Sequence, residues 1–183
     1  MKNVAIIGSG SWGAALGIYL RNHGHNVKIW SFAENEIKSI NEDKKCIFLP
    51  NATIPEGLVC SSSYEEVLDG ADIILHVTPS KFVRSTMKGY KAFVKPNQIV
   101  LMCSKGFESD SNKTMDEVVK EELPNVKFGV LSGPSHAEEV SKNIPTALVI
   151  ASKDQDVIDF VYNAFKSEVL RVFKGNTDVV DTT

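Results

Sequence analysis

Residues 4–16 read VAIIGSGSWGAAL. Four apolar residues run straight into three glycines within six positions, Gly8, Gly10 and Gly13, and an alanine-rich stretch follows at once. Glycine weakens strands and helices alike, so three of them in so short a span need a physical cause. Two causes fit: a tight turn, or a place where something must touch the backbone. The order of residue types predicts strand, loop and helix.

Outward from that stretch the chain alternates. The strand at 4–7 leads to a helix at 14–23, closed by Gly24 as a C-cap, and then to a strand at 27–30 (VKIW). A helix at 34–41 is followed by a loop at 48–55 (FLPNATIP), and Ser63 with Glu66 forms a capping box for a short helix through 68. Strands follow at 72–77, 99–103, 126–131, 147–151 and 169–173, separated by helices at 81–93, 114–122, 136–142 and 155–165. Such alternation is the pattern of βαβ units. It predicts an α/β fold, a doubly wound and mostly parallel sheet of the Rossmann dinucleotide-binding type, in one domain over 1–183.

The bulk properties agree. At 183 residues, 43% hydrophobic and 23% charged, the chain suits one well-buried globular domain. A net charge of −3 without runs of like charge argues against a nucleic-acid surface or an anionic-membrane anchor, so a bound anion needs a local site. No apolar stretch reaches transmembrane length, and glycines interrupt the N-terminal run too early for a signal peptide. Cys46, Cys60 and Cys103 form no CxxC pair and read as reduced thiols of a cytoplasmic protein. No Cys/His cluster has zinc spacing, so no metal is expected.

Sheets of this kind bind ligands beyond the carboxyl ends of their strands. The four central strand exits are Gly8–Gly13, Thr78-Pro79-Ser80, Ser104-Lys105-Gly106 and Ser132-Gly133-Pro134-Ser135, all rich in glycine, proline or hydroxyls. The strand starts have nothing comparable. By itself G-x-G-x-x-G is a weak signal, but here it follows a strand, opens a helix and reaches a second strand within about 30 residues. Gly8 then permits the turn, Gly10 lets a pyrophosphate approach, and Gly13 lets helix pack on strand. The helix N-terminus adds free N–H donors and a partial positive charge.

An acid near the end of the second strand would mark NAD, and a base NADP. Residues 30–34 read WSFAE, with neither charge at the usual place. Ser31 can hydrogen-bond either group, Phe32 can lie on the adenine, and Glu34 belongs to the next helix. Without a carboxylate the sequence allows dual use or a lean to NADP. Lys105, beside a glycine after a buried strand, is placed to donate to a substrate oxygen or the cofactor, and Gly133 to Ser135 offer a second set of donors. Together they suit a small phosphorylated or hydroxylated substrate. His23 and His25 read as surface groups, His76 as a hydrogen-bonded core residue, and His136 as a candidate acid or base. No Ser-His-Asp arrangement is signalled.

Five motifs, GSGSWGAAL at the start, FLPN at 48–51, PSK at 79–81, SKGFE at 104–108 and SGPSHAEEV at 132–140, resemble in order and spacing those of bacterial NAD(P)-dependent glycerol-3-phosphate dehydrogenase. The resemblance implies reversible hydride transfer between NAD(P)H and dihydroxyacetone phosphate. The product, sn-glycerol 3-phosphate, is a phospholipid precursor. It implies that Ser11, Trp12, Lys105 and Ala137 contact the cofactor, and that Lys105, Gly133 and Ser135 contact the substrate. The family has a basic residue where this chain has Ser31 and Phe32, which leaves the cofactor preference open. The family also continues into a helical domain that carries the acid/base lysine and is absent from this chain, which ends at Thr183. The resemblance thus implies a dinucleotide-binding N-terminal domain, inactive alone, with no catalytic acid of its own and a homodimer in the full-length form. The competing readings are a related two-domain hydroxy-acid or sugar-acid dehydrogenase and a non-catalytic dinucleotide sensor, which needs only the first loop. A methyltransferase would want an acid at the end of the second strand.

Overall fold

The computed structural model describes residues 1–175; residues 176–183, where the chain departs from the family pattern, lie outside the described residues. In chain order the elements are β1 (Asn3–Ile7), α1 (Ser11–Asn22), β2 (Asn26–Trp30), α2 (Glu34–Asn41), β3 (Lys45–Cys46), β4 (Leu49–Thr53), β5 (Val59–Ser61) and α3 (Tyr64–Leu68). They continue with β6 (Ile73–His76), α4 (Val83–Tyr90), β7 (Ile99–Met102), α5 (Met115–Glu122), β8 (Lys127–Ser132), α6 (Ala137–Ser141), β9 (Thr146–Ser152), α7 (Gln155–Phe165) and β10 (Leu170–Lys174).

Eight strands form one sheet in the order β10-β9-β8-β7-β6-β1-β2-β5. All neighbours are parallel except β8 and β9. β1 lies inside the sheet, and Ala5, Ile6 and Ile7 have no exposed surface. Its side chains alternate between two cores: Ile6 packs in the layer of α1 and α7, while Ala5 and Ile7 pack in the layer of α3, α4 and α5. A strand covered on both faces has no solvent side, which is why it reads as an unbroken apolar run. α1 is buried from Gly13 to Leu20, and its small residues bring the helix close to the sheet.

Several expectations need correction. The segment read as a loop at 48–55 contains β4, which pairs with β3 as an antiparallel hairpin apart from the main sheet. β5 falls just beyond it, three residues too short to show a period. The helix expected at 81–93 is α4 flanked by 3-10 turns at Ser80–Phe82 and Lys91–Phe93. The capping box at Ser63 is half made: Ser63 Oγ accepts from the Glu66 N–H at 3.2 Å, but the Glu66 carboxylate accepts from Ser61 Oγ instead. A complete box stands at Thr114 and Glu117, opening α5. His23 is exposed as expected, but His25 is buried beneath the turn that follows α1.

The strand order reverses at β1. β2 and β5 lie to one side, and β6 to β10 lie to the other. The loops after β1 and β6 therefore part at the carboxyl edge, where a crevice must open.

Candidate functional site

The first wall of the crevice is the loop between β1 and α1. Gly8 has φ +121°, a conformation L side chains rarely adopt, and its N–H donates to the Trp30 carbonyl at 3.1 Å. A Cβ on Gly13 would collide with the Gly8 carbonyl, so the third glycine lets the helix sit against its own loop. Gly10 differs from both. Its φ of −62° suits any residue, and a Cβ there would meet nothing within 4 Å. The free protein has no internal need for glycine at that position. An open cradle in front of an uncapped helix start, with no acidic residue in the first turn, fits a pyrophosphate.

A cavity of about 700 Å³ runs along this edge. Gly8, Gly10, Ser11, Trp12, Trp30, Ser31, Phe32 and Lys105 all line it. A second cavity of about 360 Å³ is lined by Lys105, Gly133, Ser135, His136 and Ala137. The two share Ser11, Trp12, Cys103 and Lys105. The sheet thus brings together the strand exits singled out in the sequence, with Lys105 at the junction. Gly13 is the exception: it is buried, supports the loop and lines neither cavity.

A hydrogen-bonded floor fixes the neighbouring loops. His76 is fully buried, with Nδ1 3.0 Å from the Tyr90 hydroxyl and Nε2 2.8 Å from Thr78 Oγ1. Burial pushes its pKa down to about 3, so it is a neutral core residue and not a base. Ser104 Oγ donates to the Thr78 carbonyl, tying the exit of β7 to that of β6. Lys105 itself is exposed and, among the described residues, has no carboxylate partner. Its ammonium is available to an anion.

Of the further residues that line the cavity and were not read as site residues from the sequence, two stand out, Phe48, which begins the FLPN motif, and Glu36. Phe48, at the turn of the β3–β4 hairpin, lines it, and Cys46 beside that turn packs its Sγ 3.7 Å from the Ser9 carbonyl. The FLPN motif at 48–51 was the available signal. Glu36 is the other. Its carboxylate accepts from the Ser9 and Ser31 hydroxyls, the latter at 2.6 Å. Ser31 is therefore not a free donor, and the neighbourhood of β2 does hold an acid, contrary to the expectation from residues 30–34. Phe32 stands 82% exposed at the cavity rim. Among the described residues no three His, Cys, Asp or Glu side chains gather as metal ligands do, and no helix is long and apolar enough to cross a membrane.

A mostly parallel sheet with a glycine loop at its switch point, opening on a crevice of this size, defines a Rossmann-type dinucleotide-binding domain. The comparisons are more specific. Residues 3–158 match the family described as NAD-dependent glycerol-3-phosphate dehydrogenase N-terminus. The chain belongs to that family. It is 41% identical over 177 residues to a glycerol-3-phosphate dehydrogenase (NAD(P)+) of Fusobacterium nucleatum, covering 94% of this chain and 52% of the relative. It is 40% identical over 174 residues to the enzyme of that name from Agathobacter rectalis, with the same coverage. The crystal structure of glycerol-3-phosphate dehydrogenase from Coxiella burnetii superposes with a TM-score of 0.90 at 31% identity, covering 95% of this chain and 54% of that one. The chain spans about half the length of the curated relatives it matches.

Proposed function

We propose that residues 1–183 form the cofactor-binding domain of an NAD(P)-dependent glycerol-3-phosphate dehydrogenase, which interconverts dihydroxyacetone phosphate and sn-glycerol 3-phosphate for phospholipid synthesis. The observation that carries this reading is the junction of the two cavities at Lys105. A dinucleotide lies along the larger cavity, and a small phosphorylated substrate occupies the smaller one.

The division of labour follows from the chemistry of the walls. When bound, the nicotinamide cofactor supplies or accepts the hydride. Gly8, Gly10 and Gly13 shape the loop whose amides hold the phosphates, while Ser11, Trp12 and Ala137 flank the end nearer Lys105. Ser31 and Phe32 border the adenosine end. Lys105 donates to a substrate oxygen, and the loop from Gly133 to Ser135 supplies amide and hydroxyl donors to the phosphate. Charge-assisted hydrogen bonds of this kind contribute about 1.5–3 kcal/mol each. His136 lines the substrate cavity, but the resemblance assigns proton transfer to a lysine of a helical second domain outside these residues. On this reading the chain binds cofactor and turns over little by itself. Cytoplasmic location and a homodimer of the full-length form belong to the same proposal.

The test is NADH or NADPH oxidation driven by dihydroxyacetone phosphate, with the 183-residue chain run beside a form that supplies the second half present in the relatives. The longer form should turn over and the short chain should fall below it by about 10²–10⁴-fold, the usual contribution of a positioned acid. Equal turnover would return the search for the acid to Lys105 and His136. A longer form that reduces 3-hydroxy-acid precursors but not dihydroxyacetone phosphate would favour a related dehydrogenase.

A further inference from the structure

β2 ends without an acid, yet an acid arrives at the same place from the next helix. Glu36 is the third residue of α2, and its carboxylate turns back over the crevice. Its Oε2 accepts from two hydroxyls, that of Ser31 at 2.6 Å and that of Ser9. Ser9 lies between the first two glycines of the loop, and Ser31 directly follows β2. Both serines are buried, at 5% and 1% exposure. The carboxylate is therefore pinned where the glycine loop meets the end of β2. That is the ground an adenosine ribose occupies once a pyrophosphate sits on the loop.

The charge there is unbalanced. Glu36 and Lys105 are the charged residues lining the large cavity, and Lys105 follows β7, three strands from β2. At ordinary strand spacing that separation is about 14 Å, beyond a Debye length at physiological salt. Among the described residues no lysine or arginine pairs with Glu36.

We propose that Glu36 selects between the two nicotinamide dinucleotides, accepting a hydrogen bond from the 2′-hydroxyl of NAD(H) and repelling the 2′-phosphate of NADP(H). A carboxylate accepts from a ribose hydroxyl through its remaining lone pairs, a charge-assisted bond. A 2′-phosphate offers no donor and adds like charge to a half-buried site without a counter-ion. The position serves the role of an acid at the end of β2 from a different element, six residues after Trp30. The assignment rests on the dinucleotide reading of the crevice, and it replaces the NADP lean that residues 30–34 carry by themselves.

The experiment titrates tryptophan emission with NADH and NADPH separately, for the wild-type chain and for Glu36→Gln, at low and high salt. Glutamine keeps the length and can still accept from Ser9 and Ser31, but carries no charge. The wild type should bind NADH roughly 10- to 100-fold more tightly than NADPH, the scale expected of a close like-charge pair. Glu36→Gln should bring the ratio towards one, chiefly by strengthening NADPH. In the wild type alone, added salt should narrow the gap by screening, which holds the proposal to account even if the variant fails to fold. NADPH binding as tightly as NADH, or a ratio untouched by both the variant and salt, overturns the role of Glu36 and leaves the dinucleotide site standing. Binding of neither nucleotide overturns both.

Discussion

Arg84 grips Glu108 with two parallel hydrogen bonds, Nε to Oε1 at 2.7 Å and Nη2 to Oε2 at 2.9 Å. The same guanidinium reaches Glu122 at 2.9 Å and Glu121 at 2.8 Å on α5. Glu108 closes the SKGFE segment that carries Lys105, so one arginine on α4 ties the Lys105 loop to two helices. The Arg84 hydrogen bonds hold the Glu108 carboxyl down to about 2, well below its ordinary 4.5. A group depressed in this way stabilises the fold above its unfolded pKa and loses that contribution only as pH falls towards 2.

Arg84→Lys should therefore loosen the Lys105 loop without touching either cavity. A lysine cannot make the paired contact with a carboxylate. Amide hydrogen exchange at Gly106 and Phe107 should speed up, while exchange in β1 and β7 stays slow. Unchanged exchange in the loop would mean that its backbone, not Arg84, holds its shape.

Lys105→Ala should separate substrate handling from cofactor handling. Lys105 is exposed and has no internal partner among the described residues, so its loss should leave the fold intact. In a form that supplies the second half, activity with dihydroxyacetone phosphate should drop by at least about tenfold, the equivalent of one charge-assisted bond. NADH binding should change much less. A variant that keeps full activity would remove Lys105 from the substrate site.

His76 should make stability fall in mild acid. Its pKa is pushed down from 6.5 to about 3 by burial, so between those values the unfolded chain takes up a proton that the native state does not. The sign follows: stability declines as pH drops below 6.5, by about 1.4 kcal/mol per pH unit for one such group. His76→Gln should be less stable at pH 7, by about 1–3 kcal/mol, because the Tyr90 and Thr78 hydroxyls lose a partner. Its urea midpoint should nevertheless depend less steeply on pH between 6 and 4. His25, whose pKa burial also lowers, contributes a residual slope to both proteins. Parallel pH profiles would show that His76 does not carry the effect.

The alternation of strands and helices was legible because buried parallel strands and amphipathic helices write different periods. α2 and α7 have the bounds their patterns imply. Strand direction is not written in such patterns. β9 runs antiparallel to β8 because α6, between them, packs against α1 and β4 instead of crossing a face of the sheet. The hairpin of β3 and β4 escaped because Pro50 and the exposed Ile47 and Phe48 break any alternation. The strand-exit residues were legible as a set, since topology alone carries them to one edge. Glu36 was not, because an acid in the first turn of a helix ordinarily needs no further explanation. Only the folded positions of Ser9 and Ser31 give it a place.

On the proposed reading the glycines of residues 8–13 make room for a dinucleotide, and Gly10 isolates that role. A Cβ at Gly10 would meet nothing within 4 Å in the free protein, and its φ of −62° suits any residue. Trp12 and Trp30 both line the cavity, so a reduced nicotinamide bound there should quench their emission by energy transfer. The decisive measurement is tryptophan quenching by NADH in the wild-type chain and in Gly10→Val, with circular dichroism confirming that both fold. Saturable quenching in the wild type that is lost in the folded variant is the predicted result. Equal quenching by the two, or none by either, would remove the glycine loop as a dinucleotide site.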